Sequence, residues 1–230
     1  MRKEVFIVLI LVFVGTKLFA QANRTNVQIG FGVGTLNYSG DITTEVLFDK
    51  MWEEIGDNGI ISLKLSKGKK WGFGVDLTRG TIHAHDYNYS NSDRGFELTT
   101  SINQLNIYTE FAFLRFYKRR RNNGNGVLED LNSMNFFLKG GVGGAFYSPN
   151  LTINDSSSLK NKEVFTGKYA AANLMLGGGY SWCFTPRQTI QLDVSVHFLT
   201  KDNLDGFEFT QFNTANDVYG GVNIRYYYSL

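Results

Sequence analysis

Apolar and polar residues alternate with period two again and again along this chain, which is the signature of half-buried β-strands. Val27, Ile29, Phe31 and Val33 alternate with Gln28, Gly30, Gly32 and Gly34. Ile61, Leu63 and Leu65 alternate with Ser62, Lys64 and Ser66, and Trp71, Phe73, Val75 and Leu77 with Gly72, Gly74, Asp76 and Thr78. Leu105, Ile107, Thr109, Phe111 and Phe113 oppose Gln104, Asn106, Tyr108, Glu110 and Ala112. Four further runs follow, around residues 134–146, 173–182, 190–198 and 218–229. Each is close to the ~9–11 residues that a tilted strand needs to cross a bilayer.

Eight runs is an even count, as single-chain outer-membrane barrels require. The connections alternate in length. Residues 37–59, 80–102, 147–171 and 199–217 read as long loops, 67–70 and 183–188 as tight turns, and 117–133 as intermediate. Long loops outside and short turns in the periplasm are the outer-membrane pattern. A soluble β-sandwich would also alternate, but its water-facing side would be rich in charge and it would have edges to protect. Here the polar side is mostly Gly, Asn, Gln and Ser, and the other side is almost uncharged. The fold expected is therefore all-β: an eight-stranded antiparallel transmembrane β-barrel with long extracellular loops. Ile224, Tyr226, Tyr228 and Leu230 alternate to the last residue, as barrel-assembly signals do. Aromatic residues gather at strand ends, Trp71, Phe116, Trp182, Phe184, Tyr226 and Tyr228 on the periplasmic side and Phe146 and Phe198 on the other, where they suit a membrane–water interface.

The start of the chain reads as a secretory signal. Arg2 and Lys3 precede an unbroken apolar run over residues 5–14, and Ala20-Gln21-Ala22 offers a cleavage site. The expected organisation is a signal peptide over 1–22 and one barrel domain over 23–230, cut after Ala20 or Ala22. Arg2, Lys3 and Lys17 against Glu4 account for the net charge of +2 of the whole chain, so the exported part is near neutral and nothing points to nucleic acid. The single cysteine, Cys183, excludes an internal disulfide framework.

Six charges fall on the inward parity: Lys64, Lys139 and Arg225 against Asp76, Glu110 and Asp193. Unpaired buried charge is costly, so they are expected to pair and plug the lumen. The inward glycines make room for long side chains opposite them. The run Gly30 to Gly34 lacks the following helix and the spacing of a phosphate loop. His83, His85 and Asp86 read as part of the second long loop; a third metal ligand is not obvious, since His197 tops a distant strand. His83, Asp86 and Ser90 lack the spacing of a rim hydrolase or acyltransferase. The reading is non-enzymatic, with no catalytic, metal or cofactor site.

The two ends differ. Thr44 can cap a short amphipathic helix whose face is Leu47, Phe48, Met51, Trp52 and Ile55, ending at Gly56. The long loops are acidic, whereas the periplasmic turns carry Lys67, Lys69, Lys70, Lys118, Arg119, Arg120, Arg121 and Arg187. Lys118, Arg119, Arg120 and Arg121 are the sharpest candidates for contact with an acidic periplasmic partner or lipid head groups. The expected partners are outer-membrane lipid and periplasmic or outer-membrane proteins.

The first strand runs into Asn37-Tyr38-Ser39-Gly40-Asp41. A Gly-rich strand entering an Asn-Tyr-x-Gly-Asp turn resembles the opening of the PorG-like outer-membrane barrel family, with Asn37, Tyr38, Gly40 and Asp41 matching. Close similarity covers some 15 residues. The resemblance implies an OmpA-like barrel that serves type IX secretion and gliding by linking the outer membrane to a periplasmic ring. An OmpA- or OmpW-like surface barrel for envelope stability, adhesion or small-solute passage is the other reading.

Overall fold

The structure is a computed structural model that describes residues 25–39, 54–67, 70–85, 96–119, 130–153, 162–164, 167–201, 204, 207–209 and 217–230. Ten strands occur in it: β1 Thr25–Ser39, β2 Gly56–Lys67, β3 Trp71–His85, β4 Phe96–Arg119, β5 Asp130–Ile153, β6 Lys162–Val164, β7 Tyr169–Thr185, β8 Gln188–Leu199, β9 Phe207–Phe209 and β10 Val218–Ser229. Eight of them close a barrel in the order β1-β10-β8-β7-β5-β4-β3-β2, every pairing antiparallel. With β6 and β9 set aside, each strand pairs with its chain neighbour. β1 meets β10 from Gln28↔Ser229 to Ser39↔Val218, so no edge stays open. β6 and β9 form a separate two-stranded sheet that the alternation did not announce.

The outer wall of the barrel is apolar. Phe31, Val33, Phe73, Leu77, Ile107, Leu138, Val142, Val194 and Ile224 are all exposed on it. From Ile190 to Phe198 the outward positions of β8 are Ile, Leu, Val, Val and Phe. At about 3.4 Å per residue and a tilt of about 40°, that stretch rises about 21 Å, close to the ~25 Å apolar band of outer-membrane barrels. Trp71, Phe116, Trp182, Tyr226 and Tyr228 lie on the outer wall near its short-turn end. Trp71 stacks on Phe73 and Trp182 lies against Phe184, so the rings form parts of a girdle.

Several boundaries differ from the sequence reading. β3 continues to His85, β4 begins at Phe96 and β5 runs to Ile153, so much of the expected loops 80–102 and 147–171 is strand. The reason is a change of parity. Inside the band the outward residues are apolar and the inward ones polar. Above it Ile82, Ala84, Leu98, Ile102 and Tyr147 turn inward and are buried, while Arg79, Ser101 and Asn103 face out. The strands go on, but the face that carries the apolar residues is reversed. The intermediate connection 117–133 also shortens, because β4 reaches Arg119 and β5 starts at Asp130.

His83 and His85 sit in β3, not in a loop. His83 Nδ1 lies 3.2 Å from Thr99 Oγ1, and His85 Nδ1 lies 3.7 Å from Glu54 Oε1. Ile55 directly precedes β2 and Gly56 opens it, so the expected loop helix does not extend to either. A Cβ at Gly56 would collide with the Thr81 carbonyl, which explains glycine at this strand start. Leu47, Phe48, Met51 and Trp52 lie outside the described residues, as do Gly40, Asp41, Asp86, Ser90, Arg120, Arg121 and the expected signal segment.

Candidate functional site

The chemistry of the molecule is concentrated in the lumen, which is built in storeys from the inward positions of all eight strands. The lower charged storey joins Lys64 on β2, Glu110 on β4 and Gln191 on β8. Lys64 Nζ is 3.2 Å from Glu110 Oε2 and donates to Gln191 Oε1 at 2.9 Å. Gln191 Nε2 donates to Glu110 Oε1 at 2.9 Å, which closes the triangle across the barrel.

The next storey centres on Asp76 of β3. Its Oδ2 accepts from Lys139 Nζ at 2.8 Å and from Arg225 Nη1 at 2.6 Å, and its Oδ1 accepts from Ser62 Oγ at 2.7 Å. Arg225 turns its other side to Asp193, with Nε 2.6 Å from Oδ1 and Nη2 3.2 Å from Oδ2. Three cations and three carboxylates therefore meet on six strands with zero net charge. All six side chains are buried. Two tyrosines frame them. Lys64 Nζ lies 4.1 Å from the Tyr227 ring centre, and Lys139 Nζ 3.9 Å from that of Tyr108. Such cation–π contacts add roughly 1–2 kcal/mol each when water is excluded. Gly30 and Gly74 face these rings, and a Cβ at either would strike Tyr227 or Tyr108.

Above the charges a void of about 10 Å³ between Asp76, Asn106, Ser195 and Arg225 has room for about one water. His197 lines the same void. Asn173 Nδ2 donates to Asn106 Oδ1 at 2.8 Å and approaches His197 Nδ1 at 3.2 Å. His197 Nε2 lies 3.1 Å from Ser195 Oγ. A ring whose Nδ1 accepts from Asn173 carries its proton on Nε2 and donates it to Ser195. The imidazole stacks on Tyr219 at 4.7 Å, and this lumen position leaves it far from His83 and His85.

Among the described residues, the top of the lumen is packed with apolar side chains. Leu204, from the connection between β8 and β9, is fully buried among Ile82, Leu98, Ile102, Tyr147 and Tyr219. Its N–H donates to Asp217 Oδ2 at 2.6 Å and its carbonyl accepts from Thr100 Oγ1 at 2.9 Å. Tyr38 Oη donates to Asp217 Oδ1 at 2.7 Å, so the motif tyrosine at the exit of β1 helps hold this cork. Asn37, its neighbour, is half-buried on the same strand. The bottom of the lumen is instead a polar cup of about 200 Å³ that opens at the short-turn end. Lys64 and Glu110 form its floor, Ser133, Ser181 and Thr189 line its wall, and Lys70 and Arg115 stand towards its mouth. Lys118 and Arg119 lie at the same end, on the last residues of β4.

Sequence reasoning put Ser62 and Gln191 on the polar parity without giving them a part in the charge network, and it did not name Tyr227, Leu204 or Asp217. Tyr227 hides between two outward tyrosines, and only its shared parity with Asn223 and Arg225 marks it as inward. A lone leucine and a lone aspartate in a polar connection carry no periodic signal at all.

A closed eight-stranded barrel with an uncharged apolar outer band and a lumen of paired charges is a transmembrane barrel of the outer-membrane type. Within that class the chain belongs to the DUF6089 family, a domain of unknown function, which it matches over residues 3–230. Among solved structures it is similar to Neisserial surface protein A, at 12% identity and a TM-score of 0.42 over 90% of this chain and 97% of that one. It is also similar to the attachment invasion locus protein Ail of Yersinia pestis in complex with the heparin analogue sucrose octasulfate, at 12% identity and a TM-score of 0.40 over 90% and 97%. A major outer membrane protein from Thermus thermophilus gives 11% identity and a TM-score of 0.44 over 89% and 99%. No curated protein matches the chain.

Proposed function

We propose that this protein is a non-enzymatic, non-conducting barrel that anchors other components at the outer membrane. The observation that carries this reading is the lumen: among the described residues, a neutral, fully paired charge storey below and the Leu204 cork above leave no continuous water path. A barrel that transports nothing works through its ends and its lipid-facing wall. Its chain is exported on the signal segment 1–22, and the short-turn end, with both termini, faces the periplasm. There Lys67, Lys70 and Arg187 are exposed, and Lys118, Arg119, Arg120 and Arg121 add the contact for an acidic partner. The Asn37-Tyr38-Ser39-Gly40-Asp41 sequence, whose first three residues end β1, supports a place in type IX secretion and gliding, as in PorG-like barrels.

The polar outer wall of β3, β4 and β5 above the band favours a second reading, surface display for envelope stability or adhesion. Two measurements test the proposal. Purified protein in planar bilayers is expected to give no steady conductance, and reproducible channels would overturn the sealed-lumen reading. Replacing Lys118, Arg119, Arg120 and Arg121 by Gln is expected to reduce co-purification of a periplasmic partner from solubilised membranes while the barrel stays folded. Unchanged co-purification would leave display as the better reading.

A further inference from the structure

A groove lies on the outer wall at the upper rim of the apolar band. There the wall steps down, because β5 runs on to Ile153 while β7 begins at Tyr169. Ser101 and Asn103 of β4, Phe146 and Ser148 of β5, Lys168 just before β7 and Ala170 within it line a space of about 430 Å³. That volume is in the ~300–1,000 Å³ range of small-ligand sites. Ser101, Asn103, Phe146, Lys168 and Ala170 are exposed. The corner that presents Lys168 is held in place. Gly167 has φ 135°, a backbone conformation that glycine adopts readily, and its carbonyl accepts from Ser148 Oγ at 2.9 Å.

The register sets the depth of each group. Asn103, Phe146 and Ala170 share one row across β4, β5 and β7, and Ser101 and Ser148 share the outward row above it. In the outward row below, Leu105 pairs with Gly144 and Gly144 with Ala172. An added Cβ at Gly144 meets nothing within 4 Å, so Leu105 and Phe146 border a hollow at Gly144 and Ala172. At about 3.4 Å per residue and a tilt of about 40°, Asn103 and Ser101 stand about 5 and about 10 Å above Leu105 along the membrane normal. The headgroup layer on each side of a bilayer is about 5–7 Å thick. The polar groups of the groove reach through that layer and past it, which is the depth of a bulky sugar headgroup and not of a small one.

Charge and side-chain chemistry agree with the depth. Of the four long connections, residues 147–171 alone carry more basic than acidic residues, Lys160, Lys162 and Lys168 against Asp155 and Glu163. Of the outward carboxylates described at this end, that of Asp57 accepts from Thr81 Oγ1, and Glu97 lies four residues above Ser101 along β4. The hydroxyls of Ser101 and Ser148 and the amide of Asn103 can each accept a hydrogen bond, and Ser101 and Asn103 can also donate, as sugar hydroxyls do. A lysine ammonium binds phosphate as a point charge.

We propose that this groove binds a phosphorylated glycolipid of the adjoining leaflet. Lys168 holds a phosphate, Ser101, Asn103 and Ser148 meet sugar hydroxyls, and the first acyl carbons lie over Phe146 and the hollow at Gly144 and Ala172. The proposal rests on the reading that the short-turn end faces the periplasm, which makes this leaflet the outer one.

Native mass spectrometry of the protein folded in an uncharged polyoxyethylene detergent counts bound lipid. Diphosphoryl lipid A is expected to reach half-occupancy at a concentration about tenfold lower than phosphatidylglycerol, which has the phosphate without the sugar. Lys168→Gln and, separately, Ser101→Leu/Asn103→Leu are each expected to raise the lipid A concentration at half-occupancy about fivefold. Lys67→Gln, at the other end of the barrel, is expected to shift it less than about twofold. The heat-dependent gel shift checks that each variant is folded. Equal affinity for the two lipids, or an effect of Lys67→Gln as large as that of Lys168→Gln, would overturn the proposal and leave a general attraction for anionic lipid. Unchanged binding in both groove variants would also sink it, because the lipid would then sit elsewhere. The measurement involves no periplasmic partner and does not depend on which way the barrel faces. Its failure leaves the anchoring reading standing, and failed co-purification leaves the groove.

Discussion

Asp76 accepts from Lys139, Arg225 and Ser62 at once, so removing its carboxylate strands Lys139 without an acid and weakens the hold on Arg225. Breaking a buried pair this way costs about 3–5 kcal/mol, whereas removing both partners together costs far less. Asp76→Ala is therefore expected to lower the urea midpoint of the folded band on gels much more than the double change Asp76→Leu/Lys139→Met. Equal shifts would mean that the charges are hydrated and not structurally coupled. Glycines give a second contrast. Gly74 faces the Tyr108 ring, while an added Cβ at Gly144 meets nothing within 4 Å. Gly74→Val is expected to cost about 1–3 kcal/mol by overpacking, and Gly144→Ala to stay within about 0.5 kcal/mol. The same urea titration reads both.

At the level of strands, the wall divides into a lipid-facing band and a polar extension above it. Leu138→Arg, inside the band, is expected to cost about 2–4 kcal/mol in lipid, while Ser101→Arg, above it on β4, costs about 0–1 kcal/mol. Reversible unfolding in vesicles measures the difference. The band was legible in the sequence because lipid enforces one parity: apolar out, polar or glycine in. The extensions were not, because above the band water lies outside and an apolar plug inside, so Ile82, Leu98 and Ile102 occupy the face that Asp76, Gln104 and Asn106 occupy below. The register shift between Ala112 and Leu114 is a smaller version of the same problem. It puts Phe113, Leu114 and Phe116 all on the outer wall, which strict alternation from Leu105 does not yield. Of the lumen, the charges were readable because six ionisable residues on one parity have no solvent to face. The cork was not, because Leu204 is placed by Asp217 of a connection without periodicity and by Thr100 and Tyr38, which lie far from it in sequence.

For the molecule as a whole, one carboxylate, that of Asp217, ties Leu204 to β1 at the top of the lumen. Asp217→Ala removes the acceptor of the Leu204 amide and of the Tyr38 hydroxyl together. Each bond to a charged acceptor is worth about 1.5–3 kcal/mol, so the Leu204 amide is expected to exchange with deuterium at least about tenfold faster. Conductance is expected to stay absent, because the charge storey below is untouched. The β1–β10 seam has a consequence for biogenesis. Gln28 bonds to Ser229 across 201 positions of chain, and nearly every residue must be delivered before these two strands can meet. Joining such distant ends costs about 5 kcal/mol in chain entropy. Until it happens, β1 and β8 each present an unzipped row of amides, at several kcal/mol per group once in lipid. Without β10 the edges of β1 and β8 stay unpaired, so the closure that a lipid-embedded sheet needs waits on residues 218–229.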